Sequence, residues 1–511
     1  MTEQTRPRKT RAKRPAEAQE PRNPKADLPV AAGHIPAPDA LRGVLAGRRF
    51  VFTSAQNNTY VHEDFLASLL QFCAHRKAQL VVSKFTYNKS GFQNLTKDCG
   101  TEEMWYDPRL EEFFVNSSMQ VTPSLVWCGE LDILPTAVLP LSGFDNYTRH
   151  ASAIIPHAKM QMTSVPTMKY SDTKFLYTTG AVTQRNYIDR KTGQKAAFHH
   201  VFGALYVEVD EDGDWFARQL IADADGKFYD LTDCFTPHGV EEGNRVLAIN
   251  WGDVHIEEID PKVNQGCFLI DGMLDRLKPQ YQFMHDLSDF RARNHHNIKD
   301  PYFLAEQFHG GVNVVERGID MAAKFLAMIE RDWCKTVVVE SNHDQAFRRW
   351  LSSPEGRMDA ANAAYWHYWN YRIHDKIKHK QDLHVFEDAV RLRATYSGSH
   401  LKNTIFLEED ESFEIAASTS GQGIECGMHG HRGPNGRRGS PASLRGIGRR
   451  CNLGHTHSAS IIDGIYTAGV SAKLDLGYNK GPSSWSHSHI VTYPNGKRTI
   501  VTMRGSKWRA V

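Results

Sequence analysis

Nowhere in this sequence does an apolar run approach the roughly 20 residues needed to span a membrane, and no signal-peptide h-region stands near its start. The expectation is a protein with no membrane partner. Cysteine is sparse. The eight residues at 73, 99, 128, 234, 267, 334, 426 and 451 form no Cys-x-x-Cys pair, which argues against a zinc ribbon or a disulfide framework and for a reducing cytoplasm. An excess of one charge is also missing. The net charge of +2 is too near zero to name a partner, so the placement of charge must carry that argument. Large apolar residues are almost absent from the beginning of the chain, where Arg6-Pro-Arg8-Lys9-Thr-Arg11-Ala-Lys13-Arg14 predicts a disordered basic tail over 1–44. Such a tail either tethers the chain to phosphates or keeps it soluble.

What is present suffices for two or three domains, since 41% of the 511 residues are hydrophobic. Phe50-Val-Phe-Thr-Ser reads as a strand, His62 to Arg76 as an amphipathic helix and Ala78-Gln-Leu-Val-Val-Ser as a second strand. This β-α-β unit opens an expected N-terminal α/β domain over 45–240, in which we find no catalytic constellation. Ser54-Ala-Gln56-Asn57-Asn58 stands at a strand end, where a ligand can bind, though a polar turn is the commoner reason for such a run. Asp210-Glu-Asp-Gly-Asp214 lacks the closing glutamate of a calcium loop and reads as a hairpin turn.

The second half carries the chemistry. Four strand-like runs each end on polar groups, as buried strands do when they deliver side chains to a site at their C-terminal ends. Val337-Val338-Val339 leads to Glu340-Ser341-Asn342-His343-Asp344, and Arg245 to Trp251 leads to Asp253-Val-His255. Tyr281-Gln-Phe-Met leads to His285-Asp286-Leu-Ser-Asp289, and Ile424-Glu-Cys-Gly-Met leads to His429-Gly-His431. Gly454-His455-Thr-His457 follows. In this last motif two imidazoles lie two residues apart, so on an extended segment they share a face.

The order Asp-x-His, Asp-x-x-Asp, Asn-His-Asp, His, Gly-His-x-His resembles the calcineurin-like metallophosphoesterases, a superfamily that includes purple acid phosphatases, cyclic-nucleotide phosphodiesterases and Mre/SbcD-type DNA repair nucleases. The resemblance covers about residues 244 to 511. It implies a four-layer α/β/β/α sandwich over 241–511, preceded by the separate α/β domain and carrying a helical insertion at about 354–395. The wording of the first domain, from Phe52 to Leu66, is in turn similar to bacteriophage proteins in which such a domain precedes a metallophosphoesterase, among them early DNA-degrading nucleases of tailed phages. That places the expected site of action in the host cytoplasm.

Hydrolysing a phosphodiester at neutral pH needs a hydroxide nucleophile, neutralised phosphate charge and a proton for the leaving oxygen, and two divalent metals supply the first two. The resemblance implies that Asp286 bridges both metals. It gives Asp253, His255 and His457 to one metal, and Asn342, His429 and His455 to the other. Imidazole, carboxylate and amide ligands without thiolate suit Mn²⁺, Fe or Zn²⁺ better than Mg²⁺, with Mn²⁺ the first expectation. His343 would protonate the leaving group and Asp344 would orient and charge it. His285, His295, His296 and His431 would line or support the site. Asp271 is a rival for the bridging position, and the family usually has glycine where this chain has His285 and Ser341.

Between His429 and His455 lies a Gly- and Arg-rich loop with Arg432, Arg437, Arg438, Arg445, Arg449 and Arg450. Beside a phosphodiesterase site these guanidiniums would meet a DNA backbone. Tyr365-Trp366-His-Tyr368-Trp369-Asn-Tyr371 has the spacing of a core or subunit interface, or of a stacking platform for unpaired bases, and makes a homo-oligomer plausible. The expected function is DNA hydrolysis by an endo- or exonuclease. The rivals are a phosphatase or phosphodiesterase acting on small molecules or proteins, and a non-catalytic nucleic-acid-binding or assembly protein.

Overall fold

The computed structural model describes residues 43–89, 103–291, 293–294, 296–417 and 422–510. Residues 1–42 of the basic tail, and His295, lie outside the described residues. The chain opens with the parallel unit read from the sequence: β1 (Arg49–Gln56), α1 (Glu63–Arg76) and β2 (Gln79–Phe85), with Phe50 opposite Gln79. Phe65, Leu66, Leu69 and Phe72 make one buried stripe along α1, and His62 caps the helix by accepting the Phe65 N–H at 3.3 Å. Next come β3 (Ser118–Thr122), β4 (Leu125–Cys128), β5 (Ser152–Ile155), β6 (Met162–Val165), β7 (Lys174–Thr178), α2 (Lys191–His199), β8 (Gly203–Val209) and β9 (Trp215–Ile221). Asp210 to Asp214 is the turn of the β8–β9 hairpin, where Asp210 Oδ1 accepts the N–H groups of Asp212 and Asp214 at 3.0 Å. The Ser54–Asn58 segment spends its polarity on the backbone: Ser54 Oγ donates to the Gly180 carbonyl and Gln56 Nε2 to that of Asn186. A small meander, β10 (Phe228–Asp230), β11 (Asp233–Thr236) and β12 (Gly239–Glu241), closes this half.

The second half alternates strands and helices: β13 (Ala248–Asn250), α3 (Pro261–Cys267), α4 (Met273–Leu277), β14 (Tyr281–Met284), α5 (Pro301–His309), α6 (Val315–Ile329), β15 (Lys335–Val339), α7 (Gln345–Ser352), α8 (Ala363–Lys378), α9 (Val385–Tyr396) and β16 (Thr404–Leu407). Helical crossovers force parallel pairing, and β13, β14, β15 and β16 are parallel neighbours in that order. The chain ends with β17 (Glu414–Ile415), β18 (Ile424–Glu425), α10 (Pro441–Leu444), β19 (Arg450–Leu453), β20 (Ser460–Ile462), β21 (Ile465–Thr467), β22 (Ser488–Thr492) and β23 (Arg498–Thr502). The β-rich run from Ile461 to Val501, with Asn495-Gly496 as a hairpin signal, reads in the sequence as the supply of the second sheet. The structure splits it: β20 and β21 join that sheet, whereas β22 and β23, turning at Asn495-Gly496, run antiparallel beside β13 in the first.

Two β layers face each other. One is the six-stranded sheet β16-β15-β14-β13-β22-β23, which the four-stranded sheet β2-β1-β8-β9 extends. Gln219 of β9 stitches these two edges, donating its N–H to Thr499 Oγ1 and accepting the Ile500 N–H on its side chain, each at 2.9 Å. The opposing layer is the ten-stranded sheet β17-β18-β19-β21-β20-β6-β7-β5-β4-β3. Phe52, Trp127, Tyr177, Leu205, Ile461 and Ile490 fill the space between the layers. Helices α3, α4 and α6 to α9 cover the outer face of the six-stranded sheet, and α1 covers that of the four-stranded one. On the far side α10 seats Leu444 against Cys451, Leu453 and Ile465, giving a four-layer α/β/β/α arrangement with its N-terminal α/β unit.

The ten-stranded sheet crosses the boundary drawn at 240. β6 pairs antiparallel with β20, placing Met162 opposite Ile461 and Thr163 opposite Ser460. In α8, Trp369 is buried, Tyr365 and Trp366 pack on the helical core, and Tyr368 and Tyr371 remain exposed. Among the described residues no helix is long and apolar enough to cross a membrane.

Candidate metal centre

Every polar motif singled out in the second half leaves the C-terminal end of a strand and turns toward one point between the two β layers. Asp253 and His255 follow β13, Asp286 and Asp289 follow β14, Asn342 and His343 follow β15, His429 follows β18, and His455 and His457 follow β19. The turns are tight. His255, Asp286, His455 and His457 all have positive φ, at 41°, 43°, 73° and 56°. The left-handed region costs a non-glycine residue about 1–2 kcal/mol, so packing and hydrogen bonding must hold these four in place. Gly454 is required by proximity rather than by φ, because a Cβ there would collide with Asp253 Oδ1 and lie 3.0 Å from His285 Cβ.

Asp253, His255, Asp286 and His457 are all buried and converge as one possible ligand set. His457 Nε2 lies 3.1 Å from both Asp253 Oδ2 and His255 Nε2. Asp286 Oδ2 is 3.5 Å from His255 Nε2 and 3.9 Å from His457 Nε2. Four ligands at bond lengths of about 2.0–2.2 Å around a tetrahedral ion stand roughly 3.3 Å apart, so these separations fit a cation. The other oxygen of Asp286, Oδ1, faces away from this set, 3.4 Å from His429 Nε2, which is itself 3.1 Å from Asn342 Oδ1. The His455 ring stands 5.3 Å from that of His429.

Polar atoms left unsatisfied collect here. Asp253 Oδ1, Asp286 Oδ1, His429 Nδ1, His457 Nδ1 and both ring nitrogens of His285 are buried with no hydrogen-bond partner among the described residues. Isolated in a core such groups would be costly, and cations held by this set would satisfy the Asp253 and Asp286 oxygens. Charge agrees with this donor set. Burial pushes Asp286 up, but the surrounding imidazoles, His429 and His343 foremost, hold it well below the ordinary carboxylate range. Burial outweighs Asp286 and Asp253 at His429 and draws it down to about 3, which keeps the neutral form that binds a metal.

Asp289 closes the Asp-x-x-Asp motif without an assigned role in the sequence reading, and Glu257 was not singled out there. Asp289 Oδ1 lies 3.1 Å from both His255 Nδ1 and His343 Nδ1, and these three residues converge as a second possible ligand set overlapping the first. A carboxylate on the rear nitrogen of a ligating imidazole fixes its tautomer and aim. Glu257, half-buried two residues after His255, accepts the N–H groups of Asp289 at 2.7 Å and Phe290 at 3.0 Å, and the Ser288 hydroxyl at 2.9 Å. The signal for both was their spacing from the ligands, two or three residues along.

Asp344 occupies a different place from the one its neighbour suggested. Its carboxylate accepts the Ser288 N–H at 3.0 Å and the Ser341 hydroxyl at 2.9 Å, bracing the turn that presents Asp286. The carboxylate at His343 Nδ1 is that of Asp289. Burial opposes charge on His343, but Asp286 and Asp289 outweigh it and raise the imidazole to about 10. His285 is fully buried with its ring 5.6 Å from that of His429. His296 stacks on Tyr478 at 4.2 Å, and His431 Nε2 is 3.0 Å from Glu409. Asp271 sits on an exposed turn with φ 63°.

Most guanidiniums of the Gly- and Arg-rich loop have partners. Arg432 binds Glu409 at 2.8 Å, Arg449 binds Glu414 and Glu425, Arg445 lies 3.6 Å from Asp463, and Arg450 donates to the Gln422 carbonyl. Arg437 and Arg438 are exposed at its tip.

Comparison with known proteins gives one close similarity. The chain is 42% identical, over 519 aligned positions, to Protein A1 of Escherichia phage T5, spanning 97% of this chain and 90% of the relative. No family model and no solved structure matches it. The metallophosphoesterase-like cluster therefore rests on this chain's own geometry, which is that of a metal-dependent hydrolase.

Proposed function

This chain belongs to the family of Protein A1 of Escherichia phage T5, and from that premise and the geometry of its metal centre we propose that it is a two-metal nuclease of Mre/SbcD type, cutting DNA phosphodiester bonds. The observation that carries the reading is the position of Asp286. Its two carboxylate oxygens face two different groups of ligands, His255 and His457 on one side and His429 with Asn342 on the other. A lone structural ion would have no use for such a carboxylate.

In this reading Asp253, His255, Asp286 and His457 hold one divalent ion, and Asp286, Asn342, His429 and His455 hold the other. Two such ions would supply a hydroxide nucleophile at neutral pH and neutralise phosphate charge. With no thiolate and several imidazoles, the set favours Mn²⁺ over Mg²⁺. The rest falls to side chains. Asp289 holds the His343 ring through Nδ1, so the proton for the leaving oxygen comes from Nε2. Cations at Asp286 would take back part of the lift on His343, leaving Asp289 as the charge that keeps it protonated. Arg437 and Arg438 are placed to meet the DNA backbone from the loop tip.

The test is incubation of the protein with linear and circular DNA in Mn²⁺, Mg²⁺ or EDTA, beside His343→Ala and Asp286→Asn. Degradation that needs Mn²⁺ and is lost in both variants is expected. DNA left intact under every metal would sink the reading.

A further inference from the structure

A cleft of about 680 Å³ opens between α7, the start of α9 and the end of β16, with Val338, Asp344, Arg348, Arg349 and Arg432 among its walls. It adjoins the metal centre directly. The Arg349 guanidinium donates to the main-chain carbonyl of Asn342. The partition is Glu409, which accepts from Gln345 at 3.0 Å and Arg432 at 2.8 Å and stands 3.0 Å from His431. Past Arg348 the cleft continues into a second groove of about 430 Å³, lined by Arg357, His374 and Trp366.

Its chemistry is divided. The floor is carbon: Leu383, Val385, Phe386 and Phe406. Of the carboxylates on its walls, Glu408 pairs with His384 and Glu387 with Arg391, while Glu340 accepts the Glu409 N–H and keeps its charge. Arg348 is exposed and has no ion-pair partner among the described residues, and Arg349 meets a neutral carbonyl, so these two guanidiniums are the positive charge that α7 offers at the rim.

An aromatic and aliphatic floor under a guanidinium rim suits unpaired nucleotides, whose bases offer a flat face and whose phosphates take the guanidinium fork. A duplex keeps its bases stacked inside and would leave the floor uncovered. The volume falls within the roughly 300–1,000 Å³ of sites that enclose small molecules, which suits individual nucleotides.

We propose that this cleft holds single-stranded DNA next to the scissile phosphate, with bases against Phe386 and Phe406 and phosphates on Arg348 and Arg349, the strand leaving toward Arg357 and Trp366. The proposal rests on the nuclease reading above and adds to it a strand form and a path. It shifts the main polyanion contact from the Arg-rich loop, whose charges are mostly paired, to α7.

The test is fluorescence anisotropy with a short labelled oligonucleotide, single-stranded or annealed to its complement, over a salt series in EDTA so that nothing is hydrolysed. The proteins are the full chain, the double variant Arg348→Gln/Arg349→Gln, and Leu383→Asp, which puts a carboxylate on the floor while leaving both arginines. Both variants should bind the single strand about tenfold or more weakly; the double variant should do so with unchanged melting temperature and should lose about 1.4 from the salt slope, roughly 0.7 per phosphate contact. Duplex affinity should change by less than about twofold. Unchanged single-strand affinity in both variants, equal losses for single strand and duplex, or a wild-type protein that does not bind the single strand would each overturn the proposal. Because binding is read without metal, such a failure leaves the nuclease reading standing. Intact DNA in Mn²⁺, with the cleft still binding the oligonucleotide, would sink only the nuclease reading.

Discussion

The Nε2 atoms of His255 and His457 point at each other across 3.1 Å, although their residues are 202 positions apart in the chain. Two neutral imidazoles in that position share one proton or one cation. With Asp253 and Asp286 beside them, a divalent ion is the better occupant.

Metal binding should therefore be visible as stability. At a Mn²⁺ concentration of about 100 times Kd the folded state gains about 2.7 kcal/mol per site. Thermal denaturation in EDTA and in Mn²⁺ should show a rise in Tm, and Asp286→Asn should lose most of it. Equal Tm in both conditions would remove the ions from this account.

Gly454→Ala should be disproportionately harmful for one methyl group. The new Cβ would meet Asp253 Oδ1 and His285, and a forced shift of this kind costs about 1–3 kcal/mol. Calorimetric titration with Mn²⁺ should show affinity down by about tenfold or more, with a lower Tm.

Asp289→Asn separates geometry from charge at His343. The amide retains an oxygen near Nδ1 but loses the charge that raises the imidazole, so the His343 pKa should fall. A group that acts as an acid is lost as pH rises through its pKa, so the basic limb of the kcat profile should move to lower pH. The drop in kcat near neutrality should be about 10- to 100-fold, as for other partners of ligating histidines. An unmoved basic limb would assign the proton to another group.

Asp344→Asn should leave that limb in place, because the carboxylate braces Ser288 and Ser341 rather than His343. Asp344→Ala leaves the Ser288 N–H buried without an acceptor, which costs about 1–3 kcal/mol. Comparing Tm and pH profiles of the two variants checks both statements.

The residues that meet at the metal centre were legible because each ends an apolar run, and a buried strand can tolerate such groups only where it stops. Their naming as ligands, Asp253, His255, Asp286, Asn342, His429, His455 and His457, came from the family resemblance that the order of their motifs carries. Their backbone was not legible. Nothing in a histidine or aspartate announces φ near 40–70°, since surrounding contacts impose it. Asp289 stood in the Asp-x-x-Asp motif but its role could not be read there, and Glu257 was overlooked, because a sequence does not show which side chain a carboxylate aims.

In the fold, helices and the β-α-β units were readable through their periodicity, which is local. Pairing partners were not, because period two marks a strand without naming its neighbour. Hence β22 and β23 were given to the wrong sheet, and the union of β6 with β20, across almost 300 residues, left no trace in the sequence. The cleft along α7 was equally hidden, being formed by four segments whose composition is ordinary when each is taken alone.

The β6–β20 pair also bears on how such a protein can change over generations. Strand β20 starts three residues after His457, and Ser164 of β6 donates to the Ala459 carbonyl at 2.7 Å, so the first half of the chain holds the segment that aims one of the ligands. The two halves are thus not interchangeable parts. A recombination that kept the catalytic motifs but exchanged everything before residue 240 would deliver an intact list of ligands on a sheet with a raw edge, open to pairing with any other chain. Descent has to carry both halves together, and the alignment with the T5 protein, which spans 97% of this chain and so takes in both halves, is the inheritance pattern such a seam imposes.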